Sequence, residues 1–93
     1  MDRLGAIEAF VRVAESGSFS QAAERLRSSK SVVSRQISAL EAELGARLLH
    51  RTTRALTLTE AGRSYFERAT RILADLAEAN ASVGQLQAAP RGL

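Results

Sequence analysis

The sequence predicts a mainly α fold: three helices and a small two-stranded hairpin, followed by one long helix. Three observations carry this. Apolar residues recur at helical spacing in four segments. A short Leu/Thr alternation interrupts that spacing between residues 48 and 59. An unbroken heptad seam then runs from Tyr65 to Leu86.

The first helix is expected over residues 2–16. Leu4, Ile7, Phe10, Val11 and Ala14 fall on one face, Asp2 is suited to cap it, and Gly17 stops it. The second is short, about 18–26. Ser18 with Gln21 fits a capping box and Ser20 is a second candidate cap. Phe19, Ala22, Ala23 and Leu26 supply the buried side. Arg27-Ser28-Ser29 reads as a tight polar turn. The third helix, about 30–44, is capped by Ser29 and ended by Gly45. At about 100° per residue, Val33, Ile37, Leu40 and Leu44 form a core stripe, while Ser31, Ser34, Arg35 and Ser38 lie opposite.

Residues 48–58 read as a hairpin. Leu56 and Leu58 alternate with Thr57 and Thr59, and Thr53-Arg54 falls near the tip. The last helix is expected over 59–87, with Thr59 as cap and Glu60 at the positive end of the helix dipole. Tyr65, Ala69, Ile72, Leu76, Ala79, Val83 and Leu86 step by 4 and 3 in turn, an a/d seam expected to form a homodimer interface. Phe66 and Leu73 lie beside it and can pack on the domain. Pro90-Arg91-Gly92 ends the helix, so residues 88–93 read as a linker.

Helix, short helix, tight turn, helix, hairpin is the order of a winged helix-turn-helix. In that arrangement the third helix presents its polar face to base edges in the major groove. The charge pattern agrees. The net charge of the 93 residues is +3, but residues 25–54 hold seven bases (Arg25, Arg27, Lys30, Arg35, Arg47, Arg51, Arg54) against Glu41 and Glu43, a local +5. Such a zone suits a polyanion. The serine hydroxyls allow close approach to the groove, and Arg35 is long enough to take guanine bidentately or to clamp a phosphate. Twelve of the thirteen basic residues are arginine, whose planar fork fits both.

Other classes find little support. There is no cysteine, hence no disulfide framework and no thiolate metal site. His50 is the sole histidine, so neither a metal cluster nor a catalytic pair can be built on it, and it reads as structural. No metal, no cofactor and no enzymatic activity are expected. No apolar run is long enough to span a membrane, and the chain reads as cytoplasmic.

Ordered motifs carry a closer identification. Ser18-Phe19-Ser20-Gln21-Ala22-Ala23, Ser34-Arg35-Gln36-Ile37, Leu40-Glu41, Leu44-Gly45, Leu48, Arg51-Thr52 and Leu58-Thr59-Glu60-Ala61-Gly62 resemble the N-terminal domain of LysR-type transcriptional regulators. The resemblance covers about residues 2–87. It implies a dimer paired through its long helices, with two winged domains on a pseudo-palindromic double-stranded DNA site. It places DNA contacts at Ser31, Ser34, Arg35 and Gln36 on the third helix and at Arg54 on the wing. It also implies a larger C-terminal domain, and a small-molecule effector is expected only for that domain.

Lys30 stands where that family often has glutamine or proline, and a lysine in the first turn opposes the helix dipole, which points to a phosphate or base contact, with a solvated lysine as the alternative. Ser38 joins the same face. Ser20, Arg51 and Thr53 are expected to meet the backbone; Arg51 reads as a structural or phosphate-binding arginine, with base reading as the alternative. Glu41 reads as a structural acid paired with a nearby arginine. Two rivals remain: a winged-helix regulator of another type, and a winged helix used for protein contacts.

Overall fold

The computed structural model describes residues 2–52 and 55–88. The elements run α1 (Arg3–Ser16), α2 (Phe19–Arg25), α3 (Lys30–Leu44), β1 (Leu49–Arg51), β2 (Leu56–Leu58) and α4 (Glu60–Ala88). The two strands pair antiparallel with Leu49 opposite Leu58 and Arg51 opposite Leu56. The expected order of elements is observed. The expected tip residues Thr53 and Arg54, and the segment Pro90-Arg91-Gly92, lie outside the described residues.

Each helix begins on a side-chain cap of the same form. Asp2 accepts from Gly5 N–H, Ser18 from Gln21, Ser29 from Val32 and Thr59 from Gly62. A short oxygen-bearing side chain three residues ahead satisfies one of the orphan donors of the first turn. The Ser18 cap differs from a full capping box, because Ser18 N–H is taken by Ser16 Oγ at 3.2 Å. Ser20 is an exposed residue inside α2 and caps nothing. Gly17 and Gly45 end α1 and α3 in the left-handed region, at φ 71° and 70°. Helix α2 ends the same way without glycine: Arg27 sits at φ 54°, with Arg27 N–H on Glu24 O and Ser28 N–H on Ala23 O. That pair of bonds is a Schellman closure.

The core is built from Phe10, Val11 and Val13 of α1, Ala22 and Ala23 of α2, Val33, Ile37 and Leu40 of α3, together with Leu48, Leu49 and Ala69. Two leucines of the predicted stripes are exposed. Leu44 is 43% exposed and Leu4 is also exposed, because each lies in the terminal turn of its helix, past the element that covers the rest. The seam on α4 is divided. Ala69 is 1% exposed, and Tyr65 packs on Phe10 with ring centroids 5.8 Å apart. The sequence placed both in a dimer interface; the fold uses them to hold α4 on α1. Phe66 and Leu73 pack on the core as expected. From Ile72 onward the seam is open, and Val83 and Leu86 are 60% and 70% exposed.

Helix α4 is locked to the strap between α3 and β1. Thr59 Oγ1 donates to Arg47 O at 2.6 Å and Thr59 N–H to Leu48 O at 3.0 Å. Gly62 lies directly on the same carbonyl: a Cβ there would overlap Leu48 O. Backbone cannot yield as a side-chain tip can, so the first turn of α4 needs glycine at this position. Gly62→Ala is expected to lower stability by about 3 kcal/mol, read as a lower urea midpoint. An unchanged midpoint would show that α4 can lift off the strap without loss.

Candidate nucleic-acid interface

Helix α3 exposes one polar face. Ser31, Arg35 and Ser38 stand on it, and exposed Lys30 leads into it. Ser29 Oγ and Ser31 Oγ lie 3.3 Å apart at its start. Two predicted contact residues sit on the flanks instead. Ser34 is half-buried. Gln36 is half-buried on the other flank, where its amide nitrogen approaches Gly5 of α1. The helical period explains this: at about 100° per residue, position 34 lies about 70° from the direction set by 31, 35 and 38, and position 36 about 130° from it on the other side, turned toward α1. Val32, exposed at the edge of this face, gives it an apolar contact that the sequence did not single out.

The acids near this face are committed elsewhere. Glu43 binds Arg3 of α1 in a two-point pair, Nε to Oε1 at 2.9 Å and Nη2 to Oε2 at 2.6 Å. The Arg3 hydrogen bond holds the Glu43 carboxyl below the usual carboxylate range, and Arg3 is raised in turn. Tyr65 is raised by burial. Glu41 is buried, and its Oε2 accepts from Leu48 N–H at 2.7 Å and Leu49 N–H at 3.3 Å. Its charge faces Arg47 Nε at 3.5 Å and Arg51 Nη2 at 3.6 Å. Among the described residues, no acid pairs with Arg27, Lys30 or Arg35. Three unneutralised cations thus gather on α3 and the turn before it.

Arg51 is the hinge of the site. Besides Glu41, its guanidinium lies over the Phe19 ring, 5.1 Å from the centroid. It therefore ties the wing to α2 and α3 at once. Two open notches flank it. One, of about 550 Å³, is lined by Ser38, Glu41, Ala42, Ala46, Arg47 and Arg51. The other, of about 280 Å³, is lined by Ser18, Phe19, Ser20, Lys30, Arg51 and Thr52 and holds no acid. Ser20 and Lys30, far apart in sequence, meet there. The wing base is closed by Thr52, whose Oγ1 accepts from Ala55 N–H at 2.9 Å and whose N–H donates to Ala55 O. His50 is exposed on β1. Among the described residues, no three His, Cys, Asp or Glu side chains gather as a metal site, and no helix is long and apolar enough to cross a membrane.

Comparison with known proteins places this geometry. Residues 4–63 match the family described as bacterial regulatory helix-turn-helix protein, lysR family. An HTH-type transcriptional regulator of Xanthomonas campestris pv. campestris (strain 8004) is 57% identical over 83 residues, covering 89% of this chain and 24% of that protein. The HTH-type transcriptional regulator CrgA of Neisseria meningitidis serogroup B (strain ATCC BAA-335 / MC58) is 51% identical over 84 residues, 90% of this chain and 28% of the relative. The chain thus spans about a quarter of the length of these curated relatives. Among solved structures, the BenM DNA-binding domain with catB site 1 DNA superposes with a TM-score of 0.86 at 32% identity, covering 91% of this chain and 94% of that one. The CbnR DNA-binding domain in its DNA complex gives 0.78 at 40% identity, covering 91% and 97%.

Glu41→Ala removes the acceptor of two backbone N–H groups and leaves two arginines facing each other. The expected loss is about 3 kcal/mol of folding stability, with the β1 amides exchanging faster than those of α1 in a hydrogen-exchange measurement. Uniform exchange across both elements would show that the carboxylate does not hold the wing.

Proposed function

This chain belongs to the lysR family of bacterial regulatory helix-turn-helix proteins, and from that premise we propose how it reads DNA. Helix α3 enters the major groove with Ser31, Arg35 and Ser38 toward the base edges, Lys30 at the entry, and Ser34 and Gln36 on the flanks. The observation that carries this is the acid-free outer face of α3, where Arg35 has no ion-pair partner among the described residues. A buried or paired arginine would have to surrender a protein contact before taking a guanine edge; this one does not. Ser20, Lys30 and Arg51 around the smaller notch meet the phosphate backbone, and the wing residues Thr53 and Arg54 complete the contact.

Two copies act together. The exposed part of the α4 seam, Ile72, Leu76, Ala79, Val83 and Leu86, pairs with the same stretch of a second chain, so that two winged domains face a pseudo-palindromic site. Isolated, such a row of apolar side chains on a helix roughly 43 Å long would stand in water without a cover. Regulation by a small-molecule effector is assigned to a further domain, in keeping with relatives of about four times this length.

Selection of bound sites from random duplex DNA tests the reading directly. Enriched inverted half-sites support it, and enrichment without sequence preference overturns it. On a selected site, Arg35→Ala is expected to weaken binding by about 1–3 kcal/mol and to relax preference at one base pair per half-site; equal losses on selected and random duplexes would show a phosphate contact only. Val83→Asp, far from the winged domain, is expected to halve the mass in sedimentation and leave the melting of the domain intact. An unchanged mass would remove the seam from the dimer.

A further inference from the structure

We infer that the notch at the C-terminal end of α3 seats one backbone phosphodiester of the bound duplex, with Arg47 as its principal ligand and Arg51 and Ser38 beside it. This rests on the DNA-binding reading above and adds to it a residue outside the recognition helix and the wing tip.

Charge is the first argument. The notch brings two guanidiniums and one carboxylate together, which leaves a residual +1. A phosphodiester carries the single negative charge that balances it.

Hydrogen-bond capacity is the second. Glu41 Oε2 is already shared between Leu48 N–H, Leu49 N–H and Arg47 Nε, and Oε1 faces Arg51 Nη2. Arg47 meets the carboxylate through Nε, the stem side of its fork. Its two terminal amino groups have no acceptor among the described residues, and its side chain is 66% exposed. A guanidinium offers five N–H donors in a fixed plane, so a carboxylate on one edge orients the other edge for a second anion. The buried acid is thus a counter-charge that aims Arg47, not a competitor that fills it.

Shape and placement are the third. The walls are Ala42, Gly45 and Ala46, small residues that leave the approach open; a Cβ on Gly45 would meet nothing within 4 Å. Ser38 lies on the exposed face of α3 three residues beyond Arg35, roughly 4.5 Å farther along the helix. A helix that places Arg35 against base edges therefore carries this notch toward the phosphates that border the groove. The smaller notch around Lys30 and Ser20 opens at the other end of α3, so the two bracket the base-reading face.

The test uses this chain and a duplex it has selected from a random pool. Arg47→Ala is expected to lower the slope of log K against log salt by about 0.9, one phosphate contact. Between 50 and 200 mM salt, the variant then loses roughly threefold less affinity than the parent chain. Selected and random duplexes should weaken by the same factor, because a phosphate contact carries no sequence information. Arg47→Lys should keep most of the slope. A scan of single neutral methylphosphonate linkages needs no protein variant to report. One linkage per half-site should weaken the parent chain and leave Arg47→Ala indifferent. An unchanged slope, or a scan in which both proteins respond alike at every linkage, overturns the seat. If inorganic phosphate at constant ionic strength competes with the duplex for the parent chain but not for Arg47→Ala, the notch is a site for a free anion and the assignment to DNA is overturned. Should the parent chain fail to bind any duplex, the regulator reading itself fails, an outcome distinct from binding with an unchanged Arg47→Ala slope.

Discussion

The arrangement depends on one buried carboxylate. Glu41 belongs to α3, yet its hydrogen bonds go to Leu48 and Leu49 at the start of the wing, and its charge faces Arg47 and Arg51. The carboxylate therefore fixes the angle between the recognition helix and the hairpin. A buried charge is costly unless fully partnered, and here two backbone donors and two guanidiniums share that role. Arg51 carries the constraint further through its place over Phe19, so that α2, α3 and the wing meet around a single polar cluster at the edge of the apolar core.

The strap that Glu41 holds by its N–H groups is held on its other side by α4. Leu48 O accepts from Thr59 N–H, Arg47 O accepts from Thr59 Oγ1, and Gly62 packs on Leu48 O. Residues 47–49 are thus clamped between the recognition helix and the long helix. A tilt of α4 moves the strap, and the strap is bonded to the side chain of α3. In the dimer proposed above, the spacing of two copies along α4 and the pose of each α3 are coupled through these three residues.

Much of this was legible in the sequence, for a physical reason. Helix starts need a short oxygen-bearing side chain and helix stops a left-handed residue, and Asp2, Ser18, Ser29, Thr59, Gly17 and Gly45 supply both. Less legible was what covers a face. The i, i+3/i+4 spacing of Tyr65 and Ala69 serves equally for a helix packed on its own domain and for one paired with a second chain, and only the three-dimensional position of α1 decides between them. Leu44 continues the stripe of Leu40 but outlasts its cover. Ser34 and Gln36 are polar, and polarity alone does not separate an outer face from a half-covered flank. Glu41 lies four residues after buried Ile37, on the core side of α3. Its place on that stripe hinted at burial, but the N–H partners that make burial tolerable come from a segment with no periodicity of its own.

The same geometry changes what the local charge of +5 means. Seven bases crowd residues 25–54, but Arg47 and Arg51 share Glu41, and Arg25 stands 4.0 Å from Glu15. Among the described residues, the bases of this zone that pair with no acid are Arg27, Lys30 and Arg35, around the entry of α3. Arg27 occupies a left-handed backbone position that glycine would take at lower cost, by about 1–2 kcal/mol for an L-residue. What the arginine adds is a positive charge at the C-terminal end of α2, where it complements the helix dipole, within the basic zone of residues 25–54. Local strain and the long-range field oppose each other at this residue.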